Sequence, residues 1–455
     1  MGWYYTGVKA PSPLRPIPAP TFRSELLGDL EWRGLLANVS DPADADRHFL
    51  EPGRLAYIGF DPTADSLHVG SLLGLVVLRR IQRAGHRPVL LIGGGTGLIG
   101  DPSGKSGERA LNPEAEVAAA ASRLKLQVQR FLDFDGGPHG ARLVNNYDWL
   151  GKMEVISFLR DVGKHFPLGG MLAKESVRAR MGRTDAGISF TEFSYQVLQA
   201  YDFLRLFQDR GCRVQLGGSD QWGNITAGIE LIRRVTGEQA FGMTHPLVTK
   251  GDGTKFGKTE AGTVWLDAEK TSPYEMYQFW LNTPDADVVQ YLGYFTFLGR
   301  DEVLDLTDTV AKTPEAREAQ RVLARQVTAL VHGEATMQEA EAIGVAMFGG
   351  DVASLGPAQL EQVCRAIPTS ELAPAEVAAM TVVDLLVRVG AVESKGEARK
   401  LLAGGGITLN GKRLTGEIEA MSAAPALHGR FWIVRKGRRS YFGGRLVGPG
   451  SVSLR

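Results

Sequence analysis

Two short stretches carry side chains suited to handling phosphate. The first is Tyr57 to Ser71, Y-I-G-F-D-P-T-A-D-S-L-H-V-G-S, and the second is Lys250-Gly251-Asp252-Gly253-Thr254-Lys255-Phe256-Gly257-Lys258-Thr259. The first opens as a strand over 55–60 and breaks at Asp61-Pro62-Thr63, where proline fixes φ and removes a donor. It restarts as a helix near Ser66, so His68-Val69-Gly70 falls in the first turns of a helix that follows a strand. Free amides and the positive dipole end gather there, and anions are stabilised. The second stretch sets lysines on glycine hinges. It reads either as a solvated turn or as a mobile loop closing on phosphates.

Other candidate residues lie between these two. The loop Gly93-Gly94-Gly95-Thr96-Gly97-Leu98-Ile99-Gly100-Asp101 follows the apolar run 88–92. Gly95-x-Gly97-x-x-Gly100 matches a dinucleotide fingerprint, but Asp101-Pro102 follows where a helix should start. Gly100-x-x-x-Gly104-Lys105-Ser106 is one residue short of a Walker A loop. Neither motif is assigned; what remains is a glycine-rich loop leading to Asp101, Lys105 and Arg109. Farther on, Tyr195, Gln199 and Asp202 are spaced i, i+4, i+7 on an otherwise apolar helix over 191–207. Such a stripe is either a solvated face or the polar wall of a pocket, because burial without partners is costly. Gly217-Gly218-Ser219-Asp220-Gln221 then repeats the strand-to-glycine pattern.

These residues need elements to hold them. Short apolar strands alternate with amphipathic helices: strands at 55–60, 88–92 and 142–146 and one opening the stretch 214–221, and helices at 113–135, 153–163, 191–207 and 223–235. That alternation gives an α/β fold with a doubly wound parallel sheet. Ligands of such sheets sit at the carboxyl ends of the strands, where Asp61, Asp101, Asn146 and Asp220 fall. From 272 the pattern is all-helical, opened by the capping box Ser272-Pro273-Tyr274-Glu275. Residues 351–379 read as a linker with one short helix. The last segment holds an Asn410-Gly411 hairpin and a second, basic hairpin over 431–442.

Bulk properties narrow the function. The 455 residues exceed one ordinary core, and the composition, 44% hydrophobic and 22% charged, is that of a globular protein. Net charge is zero, yet residues 388–455 hold 13 basic and 4 acidic side chains, a charge of +9, leaving −9 on the rest. Interleaved with aromatic residues, that basic tail points to RNA. Cys212 and Cys364 form no metal or disulfide pattern, which places the chain in a reducing, cytoplasmic compartment. No run of about 18 apolar residues marks a membrane span. The Pro-rich residues 1–22 read as a flexible leader.

Taken together and in this order, the motifs resemble a known family. Asp-Pro-Thr followed by His68-Val69-Gly70-Ser71, then Lys255-Phe256-Gly257-Lys258-Thr259 about 180 residues on, resemble the two signatures of class I aminoacyl-tRNA synthetases. Tyr57-x-Gly59-x-Asp61-Pro62-Thr63, the run Thr191 to Tyr195 with Gln199 and Asp202, and Gly217 to Asn224 are similar to the bacterial-type tyrosyl-tRNA synthetases. The match spans about 25 to 445, and its last part resembles an S4-type RNA-binding domain. The resemblance implies a Rossmann-like catalytic domain (23–246), a mobile connector (247–271), a helical anticodon-side domain (272–350), a linker (351–379) and the S4-like domain (380–455).

It also implies the activity: tyrosine and ATP give tyrosyl-adenylate and pyrophosphate, and tyrosine then passes to the 3′ end of tRNA(Tyr). Catalysis would fall to His68, Thr63, Lys255 and Lys258, the histidine and lysines as cations at the leaving pyrophosphate. Tyrosine would be held by Tyr57 and Asp202 at the phenol, by Asp101, Tyr195 and Gln199 at the ammonium, and by Gln221. ATP would meet Gly59, Asp61, His68, Gly70, Gly218, Asp220, Lys255, Lys258 and Thr259. The tRNA would meet Lys105, Arg109, Arg399, Lys400, Lys412, Arg413, Arg435, Lys436, Arg438 and Arg439. Magnesium would arrive with ATP, no prosthetic group or resident metal site is expected, and the working form would be a homodimer. Ser71 departs from the family, which usually has a second histidine there. The alternatives are another class I nucleotidyl transferase, such as the tryptophan enzyme, and a non-catalytic RNA-binding relative.

Overall fold

The computed structural model describes residues 21–102, 111, 113–135, 137–172, 188–248, 258–259, 262–415, 421, 424–437 and 440–447. Residues 1–20 of the leader, Lys105, Arg109, Lys255, Arg438 and Arg439 lie outside them, as do the side chains of Lys258 and Thr259. The chain divides into two compact units, Met1–Asp267 with Pro284–Ala319, and Ala268–Thr283 with Gln320–Arg455. The helical stretch 272–350 is therefore shared between them.

The first unit is built on a six-stranded sheet. Its strands are β1 (Asn38–Val39), β2 (Leu55–Phe60), β3 (Arg87–Ile92), β4 (Arg142–Asn145), β5 (Val214–Gly218) and β6 (Phe241–His245). They lie in the order β1-β6-β5-β2-β3-β4, all parallel except the β1 edge. The helices are α1 (Glu25–Trp32), α2 (Pro42–Phe49), α3 (Val69–Arg83), α4 (Glu114–Val128), α5 (Tyr147–Leu150), α6 (Phe190–Arg210) and α7 (Trp222–Thr236). Strand order runs outward in both directions from β2 and β5. Right-handed crossovers then put α3 and α4 on one face and α7 on the other. Side chains of β2 alternate accordingly: Ile58 and Phe60 approach Gly74 of α3, whereas Tyr57 packs on Phe203 of α6.

Two sequence expectations change here. The helix expected near Ser66 begins at Val69, with His68 as its N-cap. The single helix expected over 153–163 is a helical turn Val155–Ser157, a π turn Phe158–Val162 and a 3-10 turn Gly163–His165. One buried ion cluster holds the returning segment of this unit: Arg33 and Arg80 bind Asp29 at 2.7 and 2.8 Å and donate to carbonyls of Gly293 and Thr296. Those carbonyls end the helix Asp285–Phe295, so its dipole supplies negative charge that a single carboxylate does not.

After the hairpin of β7 (Lys258–Thr259) and β8 (Gly262–Thr263), the second unit begins with the helix Pro273–Leu281. Its capping box is formed in both directions by Ser272 and Glu275. The unit ends in a five-stranded sheet of β9 (Thr369–Leu372), β10 (Ile407–Leu409), β11 (Lys412–Arg413), β12 (Phe431–Lys436) and β13 (Ser440–Leu446), ordered β11-β10-β12-β13-β9. Asn410 and Gly411 turn the β10–β11 hairpin with φ of 50° and 81°, both left-handed, as an Asn-Gly turn requires. The expected linker 351–379 is more ordered than that. It holds the helix Pro357–Ala366, and β9 pairs in parallel with β13 and buries Leu372 in the core of this unit. Among the described residues no helix is long and apolar enough to cross a membrane.

Candidate active site

The β2–β5 ladder holds only two pairs, Ala56 with Val214 and Tyr57 with Gln215. Beyond them the strands separate, and a cavity of about 450 Å³ opens at their carboxyl ends. This is the point where strand order reverses, the usual ligand position in such sheets. Tyr57, Gly59, Asp61, Thr63, His68, Gly70, Asp101, Tyr195, Gln199, Asp202, Gly218, Asp220 and Gln221 all line it. Ser71 lines it too.

The deep end is polar and buried. Tyr57 is 1% exposed and its hydroxyl has no partner among the described residues. Burial and the nearby Asp202 push its pKa well above the usual phenol value. Asp202 is 2% exposed, and burial raises its carboxyl to about 7. Hydrogen bonds from Asn146 Nδ2 (2.8 Å) and Trp149 Nε1 (2.7 Å) oppose that rise. The stripe on α6 is therefore a pocket wall and not a solvated face. A ligand hydroxyl placed here can donate to Asp202 and accept from Tyr57, satisfying both.

The middle of the cavity is a ring of paired polar groups. Tyr195 donates its hydroxyl to Asp61 Oδ2 at 2.7 Å. Gln221 donates to Asp101 Oδ2 at 2.6 Å. Asn224 Nδ2 reaches both Gln199 Oε1 (3.1 Å) and Gln221 Oε1 (3.2 Å), so one side chain of α7 aligns the two glutamines. Asp220 is held above the usual carboxylate range by burial and by Asp101. A Cβ on Gly218 would stand 2.6 Å from Asp220 Oδ1, which explains the glycine.

The outer end belongs to α3. His68 Nδ1 accepts the Gly70 N–H at 3.0 Å. With Nδ1 accepting in this contact, Nε2 is the ring nitrogen left to donate. His68 thus sits as the cap of a helix N-terminus at the cavity mouth. A Cβ on Gly70 would meet the imidazole at 2.7 to 2.8 Å, so a larger residue here would displace the ring. His68 also bridges Trp265, and Val69 N and Leu266 N bond Val264 O and Leu67 O. The backbone leaving the Lys258 hairpin is thereby fixed beside His68.

Sequence reasoning singled out none of Thr96, Trp149, Gln215 and Asn224 as site residues, and placed Asn146 only at a strand end. Gln215 lines the cavity with its Oε1 buried and unpartnered among the described residues. The signals were faint: Thr96 lies inside a glycine run, and Gln215 inside an apolar strand. In the second unit Arg399, Lys400, Lys412 and Arg413 are exposed, while Lys436 is paired with Glu397 at 2.7 Å. Arg435 is half-buried, its Nη2 3.5 Å from Thr408 Oγ1.

Comparison with known proteins places these features. The profile of the family described as tRNA synthetases class I (W and Y) matches residues 54–349, and that of the tyrosine–tRNA ligase SYY-like C-terminal domain matches 359–443. A tyrosine–tRNA ligase of Bacillus caldotenax is 53% identical over 420 residues, covering 92% of this chain and 99% of that protein. One from Desulfitobacterium hafniense (strain DSM 10664 / DCB-2) is 52% identical over 425 residues, covering 93% and 100%. Among solved structures, a C-terminally truncated mitochondrial tyrosyl-tRNA synthetase of Aspergillus nidulans superposes with a TM-score of 0.66 at 32% identity, over 72% of this chain and 95% of that one.

Proposed function

The chain belongs to the class I tRNA synthetases of the tyrosine and tryptophan branch, and within it to the tyrosine–tRNA ligases; on that premise we propose how its cavity activates L-tyrosine and transfers it to tRNA(Tyr). The observation that carries the assignment is the buried Tyr57 hydroxyl without a partner beside Asp202. A tyrosine phenol supplies one donor and one acceptor, matching both. Phenylalanine supplies neither, and an indole N–H only donates.

With the phenol there, the ammonium of the substrate meets Asp101, Tyr195 and Gln199, and its carboxylate points toward Gln221 and the mouth. A carboxylate oxygen attacks the α-phosphorus of ATP. The bond to the bridging oxygen breaks, and pyrophosphate leaves with the electron pair. The protein's part is alignment and neutralisation of phosphate charge. His68 Nε2–H and Thr63 donate to phosphate oxygens, Lys255 and Lys258 supply positive charge, and Gly59, Gly70 and Gly218 allow close approach. Asp220 binds the ribose, and Thr259 closes with the lysines. ATP enters as its magnesium complex, in which phosphate oxygens are the ligands. In the second step a ribose hydroxyl at the 3′ end of the tRNA attacks the tyrosyl carbonyl and AMP leaves. The exposed Arg399, Lys400, Lys412 and Arg413, with the S4-like character of the last segment, support tRNA docking there.

ATP–pyrophosphate exchange across amino acids tests the assignment. Tyrosine should drive exchange; exchange with tryptophan and not tyrosine would overturn it. Reversing Arg399, Lys400 and Lys412 to glutamate should cripple tRNA charging and spare exchange, and unchanged charging would remove that surface from the tRNA path. A homodimer is supported by the exposed apolar side chains Val155, Ile156, Leu159, Leu168 and Phe190, the last 76% exposed. Sedimentation equilibrium should read twice the chain mass, and a monomer at micromolar concentration would contradict it. The free, buried Cys212 and Cys364 agree with a cytoplasmic location.

A further inference from the structure

The phenol end of the cavity and its ATP end are joined by buried polar groups that the reaction as described does not use. Asn146 is fully buried and Thr96 is 2% exposed. Oδ1 of Asn146 accepts the Gly95 N–H at 2.7 Å, which fixes which end of the amide is nitrogen. Its Nδ2 then donates twice, to Asp202 Oδ2 at 2.8 Å and to Thr96 Oγ1 at 2.9 Å. The Thr96 hydroxyl gives its one proton to Asp61 Oδ1 at 2.6 Å. Every proton in this chain points outward from Asn146 toward a carboxylate, and no amide flip or hydroxyl rotation satisfies it another way.

The glycine run that fits no phosphate motif is explained by the same chain. A Cβ on Gly93 would overlap both Asp61 Oδ1 and Thr96 Oγ1, and one on Gly95 would crowd Leu150 at 3.0 Å and Asn146 Oδ1 at 3.3 Å. The loop is stripped of side chains where the hydrogen bonds pass, not where a phosphate would sit.

We infer that Thr96 and Asn146 are positioning residues that couple recognition of the substrate hydroxyl at Asp202 to the placement of Asp61 beside the adenylate. The inference rests on the ligase reading. Before any substrate arrives, Asn146 already divides its two protons between Asp202 and Thr96. A substrate hydroxyl that donates to Asp202 lessens the carboxylate's demand on Asn146, so the bond from Asn146 to Thr96 strengthens. Thr96 then holds Asp61 more firmly, and the reacting groups gain alignment that a substrate without the hydroxyl does not provide. A substrate lacking the hydroxyl therefore loses turnover as well as affinity. Two independent ends would instead put the discrimination in KM alone.

The test is steady-state ATP–pyrophosphate exchange with tyrosine and with phenylalanine, on full-length wild type, Thr96→Val and Thr96→Ser. Wild type should show a tyrosine preference in kcat as well as in KM. Thr96→Val removes the link, so it lowers kcat with tyrosine and cuts the kcat preference by about tenfold or more, while the KM preference persists. Thr96→Ser keeps the hydroxyl and restores the kcat preference. Thr96→Ala removes the same hydroxyl without a new methyl contact and gives the reading if the valine variant does not fold. An unchanged kcat preference in Thr96→Val or Thr96→Ala, or a wild-type preference confined to KM, overturns the coupling alone. Wild type without tyrosine-dependent exchange overturns the ligase reading and the coupling with it.

Discussion

Tyr57 shows how function is stored in a single atom. A buried hydroxyl without a protein partner costs about 1–3 kcal/mol, and a bound phenol offsets that cost. Replacing it should therefore separate stability from affinity. Tyr57→Phe is expected to leave the melting temperature unchanged or higher, to weaken tyrosine binding by about tenfold, and to narrow the preference over phenylalanine. Calorimetry and tyrosine titration read both; a destabilised variant with unaltered affinity would make the hydroxyl structural. Legibility in the sequence follows the same division. Tyr57, His68, Gly70 and Asp220 sit in contiguous motifs, so their types and order were readable. Asn146 meets Asp202 across 56 positions and Thr96 meets Asp61 across 35, on separate elements. No periodicity links such positions, and only the sheet brings them together.

Elements set what those residues can do. The helix α3 starts three residues later than expected, which makes His68 its N-cap and commits Nδ1 to the Gly70 N–H. Strand β9, sequence Thr-Ser-Glu-Leu, has no apolar alternation and is a strand only because β13 pairs with it, so it read as linker. The Gly93–Gly95 loop is the most demanding element. Because a Cβ at 93 would overlap Asp61 and Thr96 atoms, Gly93→Ala must displace one or both. Its neighbours Leu91 and Ile92 belong to a buried parallel strand that keeps its ladder to β2 and β4. The expected result is a folded protein, by circular dichroism, whose tyrosine-dependent exchange falls by about a hundredfold. Retained exchange would mean that the loop relaxes without disturbing Asp61.

Across the whole molecule, acid stability depends on how many protons each state binds. His48 and His86 both lie among positive groups, with Arg54 near both rings, Arg213 near His48 and His139 near His86. His48 Nε2 and His86 Nδ1 have no partner among the described residues. Burial depresses both rings to about 4, and these charges add to the effect. Below the unfolded value near 6.5, the unfolded chain takes up protons at these rings that the folded chain refuses, so stability falls as pH drops. Asp202 acts in the opposite sense. Its folded carboxyl stands near 7, above the unfolded value, so the folded state holds one extra proton between about 4 and 7. Among these three groups, two rings against one carboxyl leave about one net proton, at most about 1.4 kcal/mol per pH unit, and solvent screening of half-buried His48 reduces this to about half; buried His245, also depressed, adds in the same sense and Asp220, raised, opposes it. Urea midpoints should then decline steadily from pH 6.5 to pH 4.5. His86→Gln removes one of these rings, so its decline should be shallower than that of wild type. Asp202→Asn removes the opposing carboxyl and should steepen the decline toward two protons. A wild-type midpoint that is flat over this range, with Asp202→Asn equally flat, would show that both rings are already charged in the folded protein.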